Sequence, residues 1–478
     1  MSDHPIPPAA VADRASRRTL LLAGAAGAAA TLASCTSDEP QALGRPTAAG
    51  APVTLPLTPQ QSALGSGDFA LFSQTDLNFQ TLFALGAAGQ IAVAGEVASV
   101  VAQANSTPGG ATYQAVYDAF VAMGNRLEAS AAESLKAGRR VTARSRFLRA
   151  AKYYAQALYW VLGTSTPGAE ASTYTVMDDS FVAALGLMEP RPEPLAVPYE
   201  GRTLPAWFLR PSGDGKARPT IIINNGSDGQ NVDLLAQGGF DALDRGYNVV
   251  IFEGPGQGSQ LFLHNIPFRH DWEHVITPIV DVLVARPDVD ERRIALRGIS
   301  FGGELCPRAA AFEPRLAALI ADPGSTSPWL DYPAGVRATA AGPPEQVNQV
   351  FADVIIPGAT PQQQFALKKT LEIFSAEAHD QVKAGGFPTD WAALSTEIQK
   401  YDLTGVAEKI TCPTLVTQYE GDSAFGNEPD ELYAMLRTKK KDFVQFTAVD
   451  GAQYHCGPMA PQVSNEACWD WLDEVFER

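Results

Sequence analysis

The chain has few cysteines, few histidines and a shortage of basic side chains. Among its 478 residues are 5 cysteines, and their spacing matches none of the patterns in which thiolates hold zinc. Its 36 lysines and arginines face 53 aspartates and glutamates, which gives a net charge of -17. So acidic a chain lacks the cations that neutralise phosphates, so we expect no nucleic-acid partner.

Two groups of residues resemble a metal site or a phosphate-binding loop, but each lacks a residue that such a site needs. His264, His270 and His274 lie close together, but no carboxylate spacing around them is typical of a metal site. Residues 253–259, Glu-Gly-Pro-Gly-Gln-Gly-Ser, follow a β-rich run but lack the lysine of a phosphate-binding loop. We therefore expect no metal and no cofactor, and interpret residues 253–259 as a tight turn that borders the site.

The cysteines leave one question open. Four of them, Cys306, Cys412, Cys456 and Cys468, follow Cys35. If the chain is exported, the nearest pair, Cys456 and Cys468, is free to form a disulfide. Four separate buried thiols are the alternative, and the sequence does not decide between them.

The N-terminus lacks an apolar run long enough for a permanent anchor, yet it carries two export patterns. A twin-arginine pattern at residues 16–21 precedes the short apolar stretch from Leu20 to Leu32. Residues 32–35, Leu-Ala-Ser-Cys, resemble a bacterial lipobox, in which the cysteine receives lipid. We therefore expect an extracytoplasmic bacterial lipoprotein, exported by the twin-arginine route, whose only membrane contact is a lipid on Cys35.

The rest of the chain predicts an α/β fold. Helical periodicity dominates to about residue 190, and then short β-rich runs without alternation are separated by helical stretches such as residues 232–245. This rhythm is typical of a doubly wound, mostly parallel sheet. We divide the chain into a signal (1–35), a flexible tether (36–67), a helical N-terminal or cap region (68–190), a first core part (191–324), a helical lid insertion (325–409) and a second core part (410–478).

Gly298-Ile299-Ser300-Phe301-Gly302 is the most informative stretch. It lies between a short apolar run and a helix-like segment, which is the context of a nucleophile elbow. Only glycine fits two positions before and two positions after a serine on so sharp a turn. Ser300 is therefore our candidate nucleophile.

A serine nucleophile needs a base, and the base needs an orienting acid. His455 lies in the loop after the last predicted strand, where the base of this chain order belongs. Three acids compete for the third role: Asp422 is the first choice, Glu420 the second, and Asp450, on the histidine's own loop, the third. For the oxyanion we expect the backbone N–H groups of Phe301 and Ser227.

With these residues in place, the chain resembles the α/β-hydrolase superfamily. Within it, the chain is similar to the 2,6-dihydroxypseudooxynicotine hydrolase branch, which has a helical region before the sheet domain. The elbow, the turn at residues 254–258 and residues 454–459 carry the resemblance, which covers residues 68–478. Members of this branch cleave esters or carbon–carbon bonds next to ketones and are often homodimers, so the resemblance implies such a reaction and a homodimer.

The sequence therefore favours an exported serine hydrolase that acts on a small-molecule ester or related carbonyl compound. A β-ketone carbon–carbon hydrolase and an aminoacyl or peptide hydrolase are alternatives on the same three residues. An acyltransferase and a non-catalytic binding protein are further alternatives, and an intact Ser300, His455 and Asp422 set argues against the last.

Overall fold

A mostly parallel sheet of eight strands forms the centre of the molecule in a computed structural model, which describes residues 70–422 and 424–477. The predicted signal and tether, with Cys35, lie outside these residues. The strands are β1 (Glu193–Tyr199), β2 (Arg202–Leu209), β3 (Arg218–Asn224), β4 (Asn248–Phe252), β5 (Val289–Ile299), β6 (Ala318–Asp322), β7 (Thr414–Tyr419) and β8 (Lys441–Phe446).

The strand order is β1-β2-β4-β3-β5-β6-β7-β8. The hairpin β1–β2 is antiparallel and joins β4 antiparallel, and every later pairing is parallel. Strands β4 and β6 are buried along their whole length, as expected when helices cover both faces of a sheet. The doubly wound arrangement predicted from the apolar runs is confirmed, and it puts the carboxyl ends of β3, β5, β6 and β7 at one edge.

From residue 70 up to the sheet the chain forms five helices, and the periodicity predicts helical structure there. They are α1 (Asp76–Gly86), α2 (Ala94–Asn105), α3 (Tyr113–Lys136), α4 (Arg140–Trp160) and α5 (Glu170–Leu185). The sheet is crossed or flanked by α6 (Asn231–Leu234), α7 (Phe240–Asp244), α8 (Gly258–Phe262), α9 (Glu273–Val284), α10 (Gly302–Ala310), α17 (Glu428–Met435) and α18 (Pro461–Val475).

The segment between β6 and β7 is helical. It contains α11 (Ala334–Ala340), α12 (Pro344–Val350), α13 (Ile356–Gly358), α14 (Pro361–Leu371), α15 (Ala376–Lys383) and α16 (Trp391–Ile398). Its buried aromatic side chains include Phe351 and Trp391, whose rings stack with centroids 4.0 Å apart. No helix of the described part of the chain has the length and apolar character of a membrane span.

One predicted helix is interrupted. Residues 232–245 form α6 and α7, and between them residues 235–239 leave helical geometry at Gln237 and Gly238, which has a φ of 119°. A Cβ on Gly238 would lie 2.5 Å from the Arg297 guanidinium. The prediction of a continuous helix was wrong because Arg297, distant in sequence, occupies that space. Its guanidinium donates a hydrogen bond to the Gln237 carbonyl oxygen at 3.2 Å.

A buried ion pair joins the central strands. Arg297 of β5 and Asp322 of β6 are each 1% exposed, and the guanidinium donates to the Asp322 carboxylate at 2.6 Å. The second carboxylate oxygen accepts from Thr417 and Tyr419 of β7, each at 2.6 Å. Because a buried charge is costly unless it is paired, Asp322 and Arg297 each require the other.

The four cysteines after Cys35 are free and buried: Cys306, Cys412, Cys456 and Cys468. Of the two alternatives that the sequence leaves open, the structure contains the separate thiols. No disulfide therefore constrains the histidine loop to α18 in this structure.

We predict that Arg297→Met lowers the free energy of unfolding by about 3–5 kcal/mol, because it leaves the Asp322 carboxylate buried without its cation. Arg297→Met combined with Asp322→Asn should recover much of this loss. Urea unfolding would measure both. Arg293→Met, which breaks the more exposed pair with Asp290 on the same strand, is the control and should cost about 1 kcal/mol or less. An equal loss from both single variants would contradict the prediction.

Candidate active site

Ser300 lies on a tight turn between the end of β5 and the start of α10. Its φ of 58° is unusual for a residue with a side chain, and its N–H donates to the Asp322 carbonyl oxygen at 2.9 Å. A Cβ on Gly298 would lie 1.9 Å from the Gly302 carbonyl oxygen, and one on Gly302 would lie 3.0 Å from that of Asn224. These close approaches explain the glycines on either side of Ser300.

His455 contacts both partners that the sequence assigns to it. Its Nε2 lies 2.8 Å from Ser300 Oγ, and its Nδ1 lies 2.6 Å from Asp422 Oδ2. An ionised carboxylate only accepts hydrogen bonds, so Nδ1 carries the proton. Nε2 of the neutral ring is then free to accept the proton of the Ser300 hydroxyl.

Of the three candidate acids, the structure brings only Asp422 to the histidine. Glu420 accepts from the Ala448 N–H at 2.8 Å, and Asp450 accepts from Thr447, both at exposed positions. Asp422 follows the turn at the end of β7, where Gly421 donates its N–H to the Gln453 carbonyl oxygen at 2.8 Å. This bond joins the acid loop to the histidine loop.

Two effects act in opposite directions on the pKa of His455: its burial and the charge of a neighbouring carboxylate. The ring is 6% exposed, and burial alone lowers its pKa. The Asp422 carboxylate acts in the other direction and holds the pKa of His455 well above its usual value. The arrangement therefore favours the imidazolium that forms when the ring takes a proton.

The two amides predicted for an oxyanion have no acceptor among the described residues. Phe301 N–H and Ser227 N–H both lack a hydrogen bond there, and both residues line the cavity that contains Ser300. Gly226 lies between the two loops, since a Cβ on it would be 2.6 Å from the Ser300 Cβ and 3.0 Å from the Phe301 nitrogen. Both predicted donors therefore line the same cavity as Ser300, and both N–H groups are available to a bound ligand.

Gln257 supports the loop after β3 that carries Ser227, a role that the sequence does not predict. Its side-chain amide donates to the carbonyl oxygens of Asn225 and Gly226 at 2.8 and 3.2 Å, and its oxygen accepts from Gly254 at 3.0 Å. The turn at residues 253–259 contacts the loop after β3, and none of its residues lines the cavity. Its glutamine fixes the loop that carries Ser227.

A cavity of about 660 Å³ extends from Ser300 and His455. Its walls come from α1, α4, the loop after β3 and the insertion, and they also include Asp331 and Arg337, which the sequence reading did not single out. Nine aromatic side chains line it: Phe79, Phe83, Tyr159, Phe301, Tyr332, Phe351, Phe365, Phe374 and Phe425. A small organic substrate with apolar or aromatic parts fits such a lining.

In residues 70–422 and 424–477, one group of side chains has metal-ligand spacing. Its members are Glu170, Glu372 and His379, whose ligand atoms lie within 4.8 Å of one another. The Lys369 ammonium already lies 2.5 Å from Glu372, so a cation is present in the group. His270, by contrast, packs edge-on against Tyr401, and His274 lies 3.7 Å from Asp271.

Comparison with known proteins shows which proteins the chain is similar to. No protein-family model matches the chain. The chain is 28% identical to the hydrolase LUC6 from a Fusarium species, over 85% of this chain and 98% of that one. It is 27% identical to the α/β-hydrolase psoB from Aspergillus fumigatus, over 75% and 84%.

Two solved structures share the fold. The 2,6-dihydroxy-pseudo-oxynicotine hydrolase superposes with a TM-score of 0.59 at 20% identity, covering 83% of this chain and 95% of that chain. Wild-type AbyA5 superposes with a TM-score of 0.55 at 17% identity, covering 85% and 95%. The names of these relatives and the shared fold support a member of the α/β-hydrolase superfamily, and the predicted fold class is confirmed.

We predict that Asp422→Asn lowers the pKa of His455, because burial then acts on the ring without the opposing carboxylate. Titration of the histidine ring signals by NMR would measure the shift. Glu420→Gln, which changes a carboxylate on the same loop without contact to the ring, should leave the pKa unchanged. A similar shift in the two variants would argue against Asp422 as the acid that acts on His455.

Proposed function

We propose that this α/β-hydrolase superfamily member is a serine hydrolase that works through Ser300, His455 and Asp422 and an acyl-enzyme. The hydrogen-bond series from Ser300 Oγ through His455 to Asp422, with distances of 2.8 and 2.6 Å, carries the proposal. The series opens into the cavity beside two amides that have no acceptor in the described part of the chain, which is what an acyl-transfer site requires.

The reaction follows from these contacts. Ser300 Oγ attacks the substrate carbonyl carbon while His455 Nε2 takes the hydroxyl proton, and Asp422 stabilises the resulting imidazolium. The N–H groups of Phe301 and Ser227 hold the negative oxygen of the tetrahedral intermediate. His455 then protonates the leaving group, and a water molecule, deprotonated by the same ring, releases the acid and restores Ser300.

An ester is our first choice of substrate. An alkoxide or phenoxide leaving group needs only the proton that His455 holds, and the aromatic lining of the cavity suits an apolar acyl or alcohol part. Cleavage of a carbon–carbon bond next to a ketone uses the same steps with a carbon leaving group. A peptide bond is a third substrate for the same residues, and assays with all three bond types would separate them.

We further propose that the chain is exported and tethered through lipid on Cys35. The twin-arginine pattern at residues 16–21 and the Leu-Ala-Ser-Cys sequence at residues 32–35 support this. In a bacterial host, Cys35→Ser should abolish incorporation of labelled palmitate, whereas Cys306→Ser should not. Equal labelling of the wild type and Cys35→Ser would contradict the anchor.

We predict that a fluorophosphonate probe labels the wild-type protein covalently. Ser300→Ala should remove the labelling because the nucleophile is gone, and His455→Ala should reduce it strongly because no base takes the proton. For a substrate found by screening, kcat should fall by about 10⁴-fold or more in either variant.

A second buried serine of the chain provides the control for the labelling experiment. Ser325→Ala changes a buried serine that donates to Glu428 rather than to a histidine, and it should leave labelling intact. A folded wild-type protein that resists the probe, or labelling that survives in Ser300→Ala, would contradict the proposed function.

A further inference from the structure

Lys369 brings a charged group to the cavity wall near the predicted oxyanion loop. It lies near the end of α14, lines the cavity and is only 8% exposed. Its Nζ lies 3.8 Å from Asp228 Oδ1, and Asp228 directly follows Ser227. Gly226 of the same loop touches Ser300, so the ammonium lies along the wall that leads from the nucleophile.

The ammonium has donors to spare. It can donate three hydrogen bonds, and among the described residues only Glu372 Oε1 accepts one, at 2.5 Å. The Asp228 oxygen at 3.8 Å is beyond hydrogen-bond distance, and the Tyr159 ring lies with its centroid 5.3 Å away. A buried charge with unspent donors is costly unless a ligand supplies the acceptors.

A buried network behind Lys369 fixes its position. Glu372 and Glu170 are fully buried, and one carboxyl oxygen of each lies within 4.8 Å of the other. Burial raises the pKa of both carboxyl groups. Glu170 Oε2 lies 2.9 Å from His379 Nε2, and His379 Nδ1 lies 2.8 Å from Asn265 Oδ1. These residues come from α5, α14, α15 and a loop of the core, and Lys369 is held beside them through its bond to Glu372.

The charges around Lys369 select the kind of acceptor. Asp228 already places one carboxylate against the ammonium, and Glu372 places a second carboxyl group there. An incoming carboxylate would meet both, whereas a neutral oxygen would meet only the free N–H donors. A ketone, ester or hydroxyl oxygen therefore suits the position better than an anion.

We propose that Lys369 is a substrate-binding residue whose ammonium holds a second, neutral acceptor oxygen of the substrate, apart from the carbonyl that Ser300 attacks. This inference rests on the proposed function of Ser300. It narrows the substrate class to carbonyl compounds with a further ketone, ester or hydroxyl group. It also assigns Glu372, Glu170 and His379 as the residues that position Lys369.

The test compares two aryl esters, an aryl 3-oxobutanoate and the matching aryl butanoate, by the ratio of their kcat/KM values. Lys369→Met should lower this ratio by about tenfold or more, since a hydrogen bond from a charged donor is lost for the oxo ester alone. Lys369→Arg, which keeps charge and donors, should retain part of the preference. Lys368→Met is the matched control, because its ammonium donates to the Gly385 carbonyl oxygen at an exposed position and should leave the ratio unchanged.

Lys369→Met combined with Glu372→Gln guards against misfolding, since it also removes the buried carboxylate to which the ammonium donates. The same fall in the ratio is expected for it. Fluorophosphonate labelling separates the two proposals: labelling without any change in the ratio overturns the role of Lys369 alone, whereas a wild type that resists the probe overturns the function on which it rests.

Discussion

Asp322, at the end of β6, holds the site together through both its side chain and its backbone. Its carboxylate pairs with Arg297 of β5 and accepts from Thr417 and Tyr419 of β7, so three neighbouring strands end in register around one buried charge. Its carbonyl oxygen accepts the Ser300 N–H at 2.9 Å and lies 3.9 Å from the Cys456 sulfur, next to His455. The strained turn of the nucleophile and the histidine loop thus depend on a residue that takes no part in the proposed reaction.

The helices outside the sheet belong to the same structure as the site. A Cβ on Gly86, at the end of α1, would lie 1.8 Å from the Pro458 carbonyl oxygen, so this helix packs directly on the histidine loop. Tyr174 of α5 donates to Glu253 at 2.8 Å, and Glu253 accepts from Ser259 in the turn that carries Gln257. Through these contacts the N-terminal helices support the loops of the core, and they also form part of the cavity wall.

Local patterns predict much of this molecule because they follow from local physics. The apolar runs of β3, β4 and β6 predict buried parallel strands, and the two glycines around Ser300 predict a turn that no larger residue allows. Chain order, together with the position of His455 in the loop after the last predicted strand, points to this residue as the base. Asp422 could be ranked above Glu420 but not established, because the choice depends on which side chain of one loop reaches a ring on another.

What the sequence does not predict depends on contacts between distant residues. The break between α6 and α7 results from the Arg297 guanidinium, some sixty positions away, and no local pattern announces it. α17 was not predicted either; it brings Glu428 to a buried position where its carboxylate accepts from the N–H groups of Thr326 and Ser327. Gln257 and Lys369 belong to the same class, since each acts across an interface between segments.

The residues proposed to react with the substrate and the residues that shape the cavity lie on different segments of the chain. The proposed nucleophile, base and acid lie in loops that follow strands of the sheet, whereas most of the aromatic wall comes from α1, α4 and the insertion between β6 and β7. A substitution at Phe79 or Phe351 changes the shape offered to a substrate without touching the residues that break the bond. Such an architecture lets descendants of one ancestor differ in the substrates that they bind while the proposed catalytic residues stay the same.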